Sequence, residues 1–484
     1  MQYALEQQPR NFIRSVFVLA SSVVASQILF AAATPLLTRL YTPSDFGLWT
    51  LLLSGTALTS VVVCLRYELA IVLPRRDEDG ATLYGVCIFV AALMSLATSI
   101  IAALWGSSIL SYLDAPELEQ WLWVFPLLVL VAGVFRANSF WTVRKERFSW
   151  LACYRPTVAL ITVGVQIVFG LLWSGSANGL IWGTIFGLST GAVLLVSLNW
   201  RANSETLRQG FQPMRMLQLA RLHSRYPRFS APYSFIVECR KQSFIVLLGI
   251  FANPAEIGLY VLAQKICYLP VSLISSSFNP VYFQRAAEAE PLSDLGELVV
   301  RMLRGLLFLA VPFTALVCVA APMLFGWIFG AEWSRAGLYA IPIVGAATML
   351  VLTGWLDRTF DVLGRQRLAL HLEIARTTIS ITILVVGFVL FDPLSAVAMS
   401  YVAFAIFEGI WLLIVFRLAK FPVDELVRLA RDGVLVLILA FAFLQTMIWA
   451  FGAVLGIVCY LVASTAYAAI ILNGLRTDFR EAET

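Results

Sequence analysis

Charge is what this sequence has least of. Asp, Glu, Lys and Arg make up 13% of its 484 residues, about half the share of an ordinary soluble domain. A soluble chain of this length would form about two or three domains, each needing a polar surface, and 13% charge cannot supply them. Histidine is nearly absent, with only His223 and His371, which leaves no credible metal site, and no cofactor is expected. Cysteine is present seven times but never as a CxxC pair. Most cysteines lie in apolar runs (Cys64, Cys87, Cys239, Cys267, Cys318 and Cys459), so reduced thiols are expected rather than a disulfide framework. The net charge of +5 does not signal nucleic acid, because Lys and Arg fall in short clusters between apolar runs, as in juxtamembrane loops.

What is abundant is apolar sequence, at 60% of residues and a mean hydropathy of +0.84. Lipid is the solvent for most of this chain. A bilayer core takes ~20 helical residues per crossing. Read against that length, spans are expected near 12–37, 47–73, 82–105, 120–142, 156–174, 178–199, 231–252, 257–282, 303–329, 337–357, 368–391, 395–417, 433–450 and 453–472. Only Phe451 and Gly452 separate the last two. Ala31 and Ala33 resemble a cleavage site, yet the apolar stretch before them is longer than a signal-peptide core, so it reads as the first span.

Charge tests the count. With a cytoplasmic amino terminus, twenty-six Lys and Arg fall on the cytoplasmic side and only Arg39 and Arg335 opposite. A missed or extra helix would scramble that bias downstream. Both termini are therefore expected in the cytoplasm. Pro126, Pro270, Pro312 and Pro342 lie inside spans, as bends or as harmless kinks. Tryptophans near span ends (Trp49, Trp121, Trp123, Trp141, Trp150, Trp182 and Trp200) read as an interfacial belt.

Two outer loops carry nearly the same text: Thr42-Pro43-Ser44-Asp45-Phe46-Gly47-Leu48-Trp49 and Asn253-Pro254-Ala255-Glu256-Ile257-Gly258-Leu259-Tyr260. Each is a proline turn followed by an acid in a helix's first turn, where the macrodipole favours negative charge. Six spans separate the copies, so both lie on one face, and the lobes form a parallel repeat about the membrane normal. The chain divides into an N-lobe at 1–200, a linker at 201–230, a C-lobe at 231–417 and two further helices with a tail at 418–484. Within the linker, 214–222 can form a basic amphipathic helix on the membrane surface or a plain solvated connector. The fold class is all-α integral membrane: about fourteen transmembrane helices in two six-helix lobes plus two C-terminal helices.

The Pro43–Trp49 loop, the run Leu65-Arg66-Tyr67-Glu68-Leu69-Ala70-Ile71-Val72-Leu73-Pro74, the stretch Arg225-Tyr226-Pro227-Arg228-Phe229-Ser230 and Phe329-Gly330-Ala331-Glu332-Trp333 resemble bacterial polysaccharide flippases. These belong to the multidrug/oligosaccharidyl-lipid/polysaccharide superfamily, and the resemblance covers essentially the whole chain. It implies a flippase of the bacterial inner membrane that moves undecaprenyl-pyrophosphate-linked oligosaccharide between leaflets. Lipid-linked oligosaccharide and membrane lipids would be its partners, with a polysaccharide polymerase and a chain-length regulator as candidates and no nucleic acid. An ion-coupled exporter of soluble anionic solutes or drugs from the same superfamily is the alternative. An enzyme fits poorly, since the longest outer loop, about 106–119, offers Asp114, Glu117 and Glu119 without a cation.

Six cations remain within or near spans: Arg66, Arg136, Arg240, Lys241, Lys265 and Arg376. A charge at mid-bilayer costs at least ~2.5–3.5 kcal/mol, so each should face water or a partner. On a continuous helix Arg66 would lie roughly 12 Å from Pro74, with Glu68 at i+2 pointing elsewhere. Arg66, Arg240, Lys265 and Lys241 are the candidates for a cationic, substrate-binding cavity, although Glu238 can neutralise Lys241 at i+3. Arg136 is placed to snorkel, and Arg376 to pair with Glu373. Glu408 has no basic residue one turn away; it reads either as a protonated carboxyl bonded to another helix or as a carrier of the coupling ion. Asp357 and Asp361 read as interfacial residues beside Arg358. The expected outcome is that Arg66→Ala and Arg240→Ala lower glycan export at normal membrane abundance, measured as surface polysaccharide per cell, whereas Arg136→Ala does little.

Overall fold

The computed structural model describes residues 2–172, 176–289 and 291–481. The described residues are helical almost throughout: α1 Gln2–Leu40, α2 Pro43–Ser60, α3 Asp77–Tyr112, α4 Val124–Arg144, α5 Phe148–Leu172, α6 Asn178–Gln209, α7 Pro213–Leu222, α8 Ala231–Phe251, α9 Pro254–Glu288, α10 Gly296–Phe329, α11 Ala336–Thr353, α12 Thr359–Val362, α13 Gln366–Leu390, α14 Pro393–Ala419 and α15 Val423–Glu481. The physical reason is that lipid offers no hydrogen bonds to peptide groups, so each segment must satisfy its own.

Eleven of these helical segments are long and apolar enough to cross a membrane. Three more helices bring the total to the expected fourteen. Two are α2 and α8, of 18 and 21 residues, whose small, polar or charged residues lower their hydropathy. The third arises because α15 is two helices joined at Gly452, whose φ of 76° breaks the run. That break falls where the sequence placed the last inter-span turn. The outer end of the span read as 156–174 runs past Leu172, outside the described residues.

Three boundaries differ from the sequence reading in ways that matter. The span read as 47–73 is not one helix: α2 stops at Ser60, and the chain continues through turns into a 3-10 segment at Tyr67–Val72. Leu65 and Arg66 adopt left-handed φ values of 48° and 64°. α5 begins at Phe148, so Pro156 lies inside it, while Pro126 falls in the first turn of α4, where a missing N–H costs nothing. α11 ends at Thr353, leaving Asp357 in the turn beyond it.

The chain forms two compact units, Met1–Val261 and Leu262–Thr484. In the first, α1, α5 and α6 pack together, as do α3, α4 and α6. A buried amide network ties α4 to α6: the Asn199 amide donates to the Asn138 side-chain oxygen at 3.2 Å and to Thr142 at 3.0 Å, and Asn138 donates to the Tyr84 hydroxyl at 3.2 Å. In the second unit, α11 packs against α10 and α14, and α10 against α15.

The repeated loops are built alike. Thr42 accepts from the Asp45 amide at 3.2 Å while Asp45 accepts from the Thr42 amide at 2.9 Å, a complete capping box. In the second copy Asn253 accepts from the Glu256 amide at 3.1 Å. The two helix starts cross backbone to backbone. A Cβ on Gly47 would sit 1.7 Å from the Pro254 carbonyl oxygen, and one on Gly258 would sit 1.9 Å from that of Pro43. Only hydrogen fits at either crossing, as in small-residue helix contacts generally. Gly47→Ala and Gly258→Ala are each expected to destabilise the purified protein by about 1–3 kcal/mol, read as a lower melting temperature in detergent. Gly164→Ala and Gly345→Ala, where an added Cβ meets nothing within 4 Å, should hold or raise it.

Candidate functional site

The break after α2 builds a buried charged site in the first unit. The left-handed turn at Leu65 and Arg66 redirects the chain so that Arg66 meets Glu68 at 3.4 Å, a contact that positions i and i+2 on an α-helix do not make. Arg136 approaches the same carboxylate oxygen from α4 at 3.6 Å. Glu68 is fully buried, whereas the Arg66 and Arg136 side chains keep 22% and 29% of their surface. One anion between two cations leaves a net charge of +1. Arg66 Nε and Glu68 Oε2 are buried without hydrogen-bond partners, so donor and acceptor capacity remains.

Arg136 also lines a cavity of about 700 Å³ together with Ser60, Ser139, Tyr154 and Arg155. Ser139 Oγ is buried there with no partner. Two arginines and three hydroxyl-bearing residues thus line one space, and Glu68 engages Arg136. Planar guanidinium forks suit an anion with several oxygens, phosphate above all. Arg136 therefore does more than snorkel: it shares the Glu68 carboxylate with Arg66, a contact that its place near a span end did not imply. Its position beside Glu68 was invisible while 47–73 was read as continuous helix, although a run of 27 residues exceeds one crossing, and Thr56, Thr59 and Ser60 mark where it fails.

On α8, Arg240 is half-buried, and Lys241 pairs with Glu238 at 3.5 Å as the i+3 spacing implies. Gln242 donates to the same carboxylate at 2.8 Å. Lys241 is thus partly neutralised.

In the second unit, Lys265 is exposed on α9. Glu408, read from sequence as lacking a basic partner, has one. Arg376 of α13 pairs with Glu408 and with Glu373 at once, and Thr353 donates to the second Glu408 oxygen at 2.6 Å. Helical spacing along α14 could not show this, because the partner comes from another helix. Glu408 is only 2% exposed, and the cluster of one arginine and two carboxylates carries −1. Asp361 pairs with Arg358 at 3.1 Å, but Asp357 does not. In its turn beyond α11, crowding by protein and then the nearby Glu408 push Asp357 up to about 7, although its side chain keeps solvent access. It is poised to change charge near neutral pH.

The tryptophans divide. Trp123 and Trp200 are 54% and 38% exposed, as a belt requires, but Trp141 and Trp121 are buried at 0% and 6%. Trp121 donates to Asn178 at 3.0 Å and Trp49 to Thr184 at 2.8 Å, so these rings serve helix packing.

Residues 36–337 match the family model described as polysaccharide biosynthesis protein. The chain belongs to that family. A search of curated proteins gave no match. Among solved structures, the lipid II flippase MurJ in an inward closed conformation aligns with a TM-score of 0.66 and 13% identity, covering 97% of this chain and 99% of that one. An inward-facing multidrug resistance MATE family transporter of the MOP superfamily aligns at 0.58 and 14%, covering 81% and 96%. At such identities the likeness shows the fold, which this polysaccharide biosynthesis protein shares along nearly its whole length.

Removing the buried anion should harm the fold more than removing either cation. Glu68→Ala leaves Arg66 and Arg136 facing each other and is expected to destabilise the protein by roughly 3–5 kcal/mol. Arg66→Ala still leaves Glu68 with Arg136 and should cost less. Denaturation of the purified variants in detergent checks the order, and equal losses would contradict the shared-carboxylate geometry.

Proposed function

We propose that this protein is a flippase that carries undecaprenyl-pyrophosphate-linked oligosaccharide repeat units from the inner to the outer leaflet of the bacterial cytoplasmic membrane, for surface polysaccharide synthesis. The observation that carries the reading is the net-positive Arg66–Glu68–Arg136 cluster beside a cavity that also holds Arg155. A buried cation is expensive unless it has a task or a partner, and here two cations share one partner.

In this reading the pyrophosphate is drawn to the arginine forks while the lipid tail stays in the bilayer. Arg240, Lys241 and Lys265 are assigned to headgroup binding as well. Glu68 keeps the empty site from holding two unpaired arginines, and it lets the headgroup leave by taking them back. Alternating access between two lobes then carries the headgroup across. Ion coupling is assigned to the Glu408 cluster. Asp357, near that cluster but not paired within it, takes a proton below about pH 7 and releases it above, and protonation reduces the negative charge around Arg376. Both termini lie in the cytoplasm, and a polysaccharide polymerase with a chain-length regulator receives the product outside.

Deletion of the protein, followed by analysis of lipid-linked glycan on each membrane face, tests this. The expected result is that repeat units accumulate on the inner face and surface polysaccharide disappears, with Arg66→Ala and Arg136→Ala unable to restore export. Repeat units that reach the outer face but remain unpolymerised would point to a polymerase instead. Unchanged pools would point to a soluble anionic solute as the cargo.

A further inference from the structure

The stretch between α7 and α8 carries a motif that transport through the arginine cluster does not use. α7 is held firmly. Its Met216, Leu219 and Ala220 pack on the core of the first unit, and Tyr67 donates to the Ala220 carbonyl at 3.1 Å. Arg215 pairs with Glu78 at 3.2 Å and Asp79 at 2.8 Å. The helix is therefore anchored on the core through one side, while Met214, Leu217 and Leu222 stay 77%, 49% and 72% exposed.

Beyond it, a π-turn at Tyr226–Ser230 shapes a recess of about 890 Å³, lined by polar His223, Arg225, Tyr226 and Tyr233 and by apolar Leu73 and Phe229 among others. No carboxylate lines it. Of the acids that open α3, Glu78 and Asp79 are engaged by Arg215, and Asp77 by Arg144 and Lys145. Among the described residues, the Arg225 guanidinium and the two tyrosine hydroxyls make no side-chain hydrogen bond or ion pair. Leu73 and Phe229 are 60% and 72% exposed and Tyr233 57%, so apolar surface and polar groups lie side by side around the recess.

A phosphate ester satisfies that pattern. Its oxygens match a guanidinium fork and phenolic donors, and the first carbons of an attached chain match the apolar rim. A free sugar would leave the cation unused, and a hydrocarbon alone would leave every donor unused. We propose that this recess is a surface site for the phosphate headgroup of a lipid, on the face that the arginine bias assigns to the cytoplasm and apart from the Arg66–Glu68–Arg136 cluster. Two sources share that chemistry: a prenyl diphosphate and an anionic phospholipid.

The test uses the full chain in phosphatidylcholine nanodiscs doped with photoactivatable farnesyl diphosphate or photoactivatable phosphatidylglycerol, with adducts mapped by peptide mass spectrometry. Labelling of residues 222–233 is expected, reduced about tenfold by Arg225→Ala. It should be retained in Arg221→Ala, which removes an equal charge from outside the recess. Labelling by the diphosphate alone assigns the site to a prenyl diphosphate. Labelling by phosphatidylglycerol alone assigns it to a membrane phospholipid, and labelling by both assigns it to the phosphate they share. Absence of adducts in this stretch with either probe would overturn the proposal, as would equal loss in Arg221→Ala. Because adduct position and not transport is read, failure here is separable from failure of the flippase reading.

Discussion

A peptide group in lipid has nothing to bond to except another peptide group or a polar side chain. That constraint makes this chain helical and also makes each departure from helix informative. The chain abandons α-geometry at Leu65 and Arg66, with left-handed φ values, and at Gly452. Gly452 is a simple turn between two crossings, made by the residue that tolerates it. The break at Leu65 and Arg66 uses two residues with side chains, which costs energy in that conformation. It persists because the surrounding packing fixes it: Val63, Cys64, Tyr67, Ala70 and Ile71 are all buried in the core of the first unit. Arg144 also reaches back to donate to the Ile71 and Arg76 carbonyls at 2.9 and 3.0 Å. What the break achieves is to turn an arginine and a glutamate toward each other and toward α4.

The charges inside the bundle follow one rule with two outcomes. Each unit holds a three-member cluster of buried or half-buried charge. In the first, one carboxylate serves two arginines; in the second, one arginine serves two carboxylates. A lone buried ion would be prohibitively costly, and a matched pair would have little left to offer a ligand. A three-member cluster lies between these limits. It is stable enough to fold and retains one unit of charge, positive where an anionic headgroup would be held and negative where a cation or proton would be.

Much of this was legible in the residues. Apolar run lengths and the arginine bias gave fourteen crossings, and the Pro-acid-Gly repeat identified two related helix starts that the structure caps in the same way. Lys241 with Glu238 and Arg376 with Glu373 follow from i+3 spacing. The failures share one cause. Helical spacing reports only neighbours on the same helix, so it missed Arg136 beside Glu68, Arg376 beside Glu408 and the buried Asn138–Asn199 network. It also placed Trp141 and Trp121 in a lipid-facing belt, because position along a span says nothing about which way the ring faces. The reciprocal crossing of Gly47 and Gly258 was partly visible, since both glycines recur in the repeat, but their approach to the opposing prolines was not.

The amino-acid sequence by itself determined the solvent, the number of long helices and the family, because each depends on composition or motif read along a segment. The tertiary structure alone decided which charges meet. Ion pairing within a membrane depends on a few ångströms between side chains on different helices, and on one strained turn that no local propensity favours. The Arg66–Glu68–Arg136 cluster exists only because packing outweighs that strain.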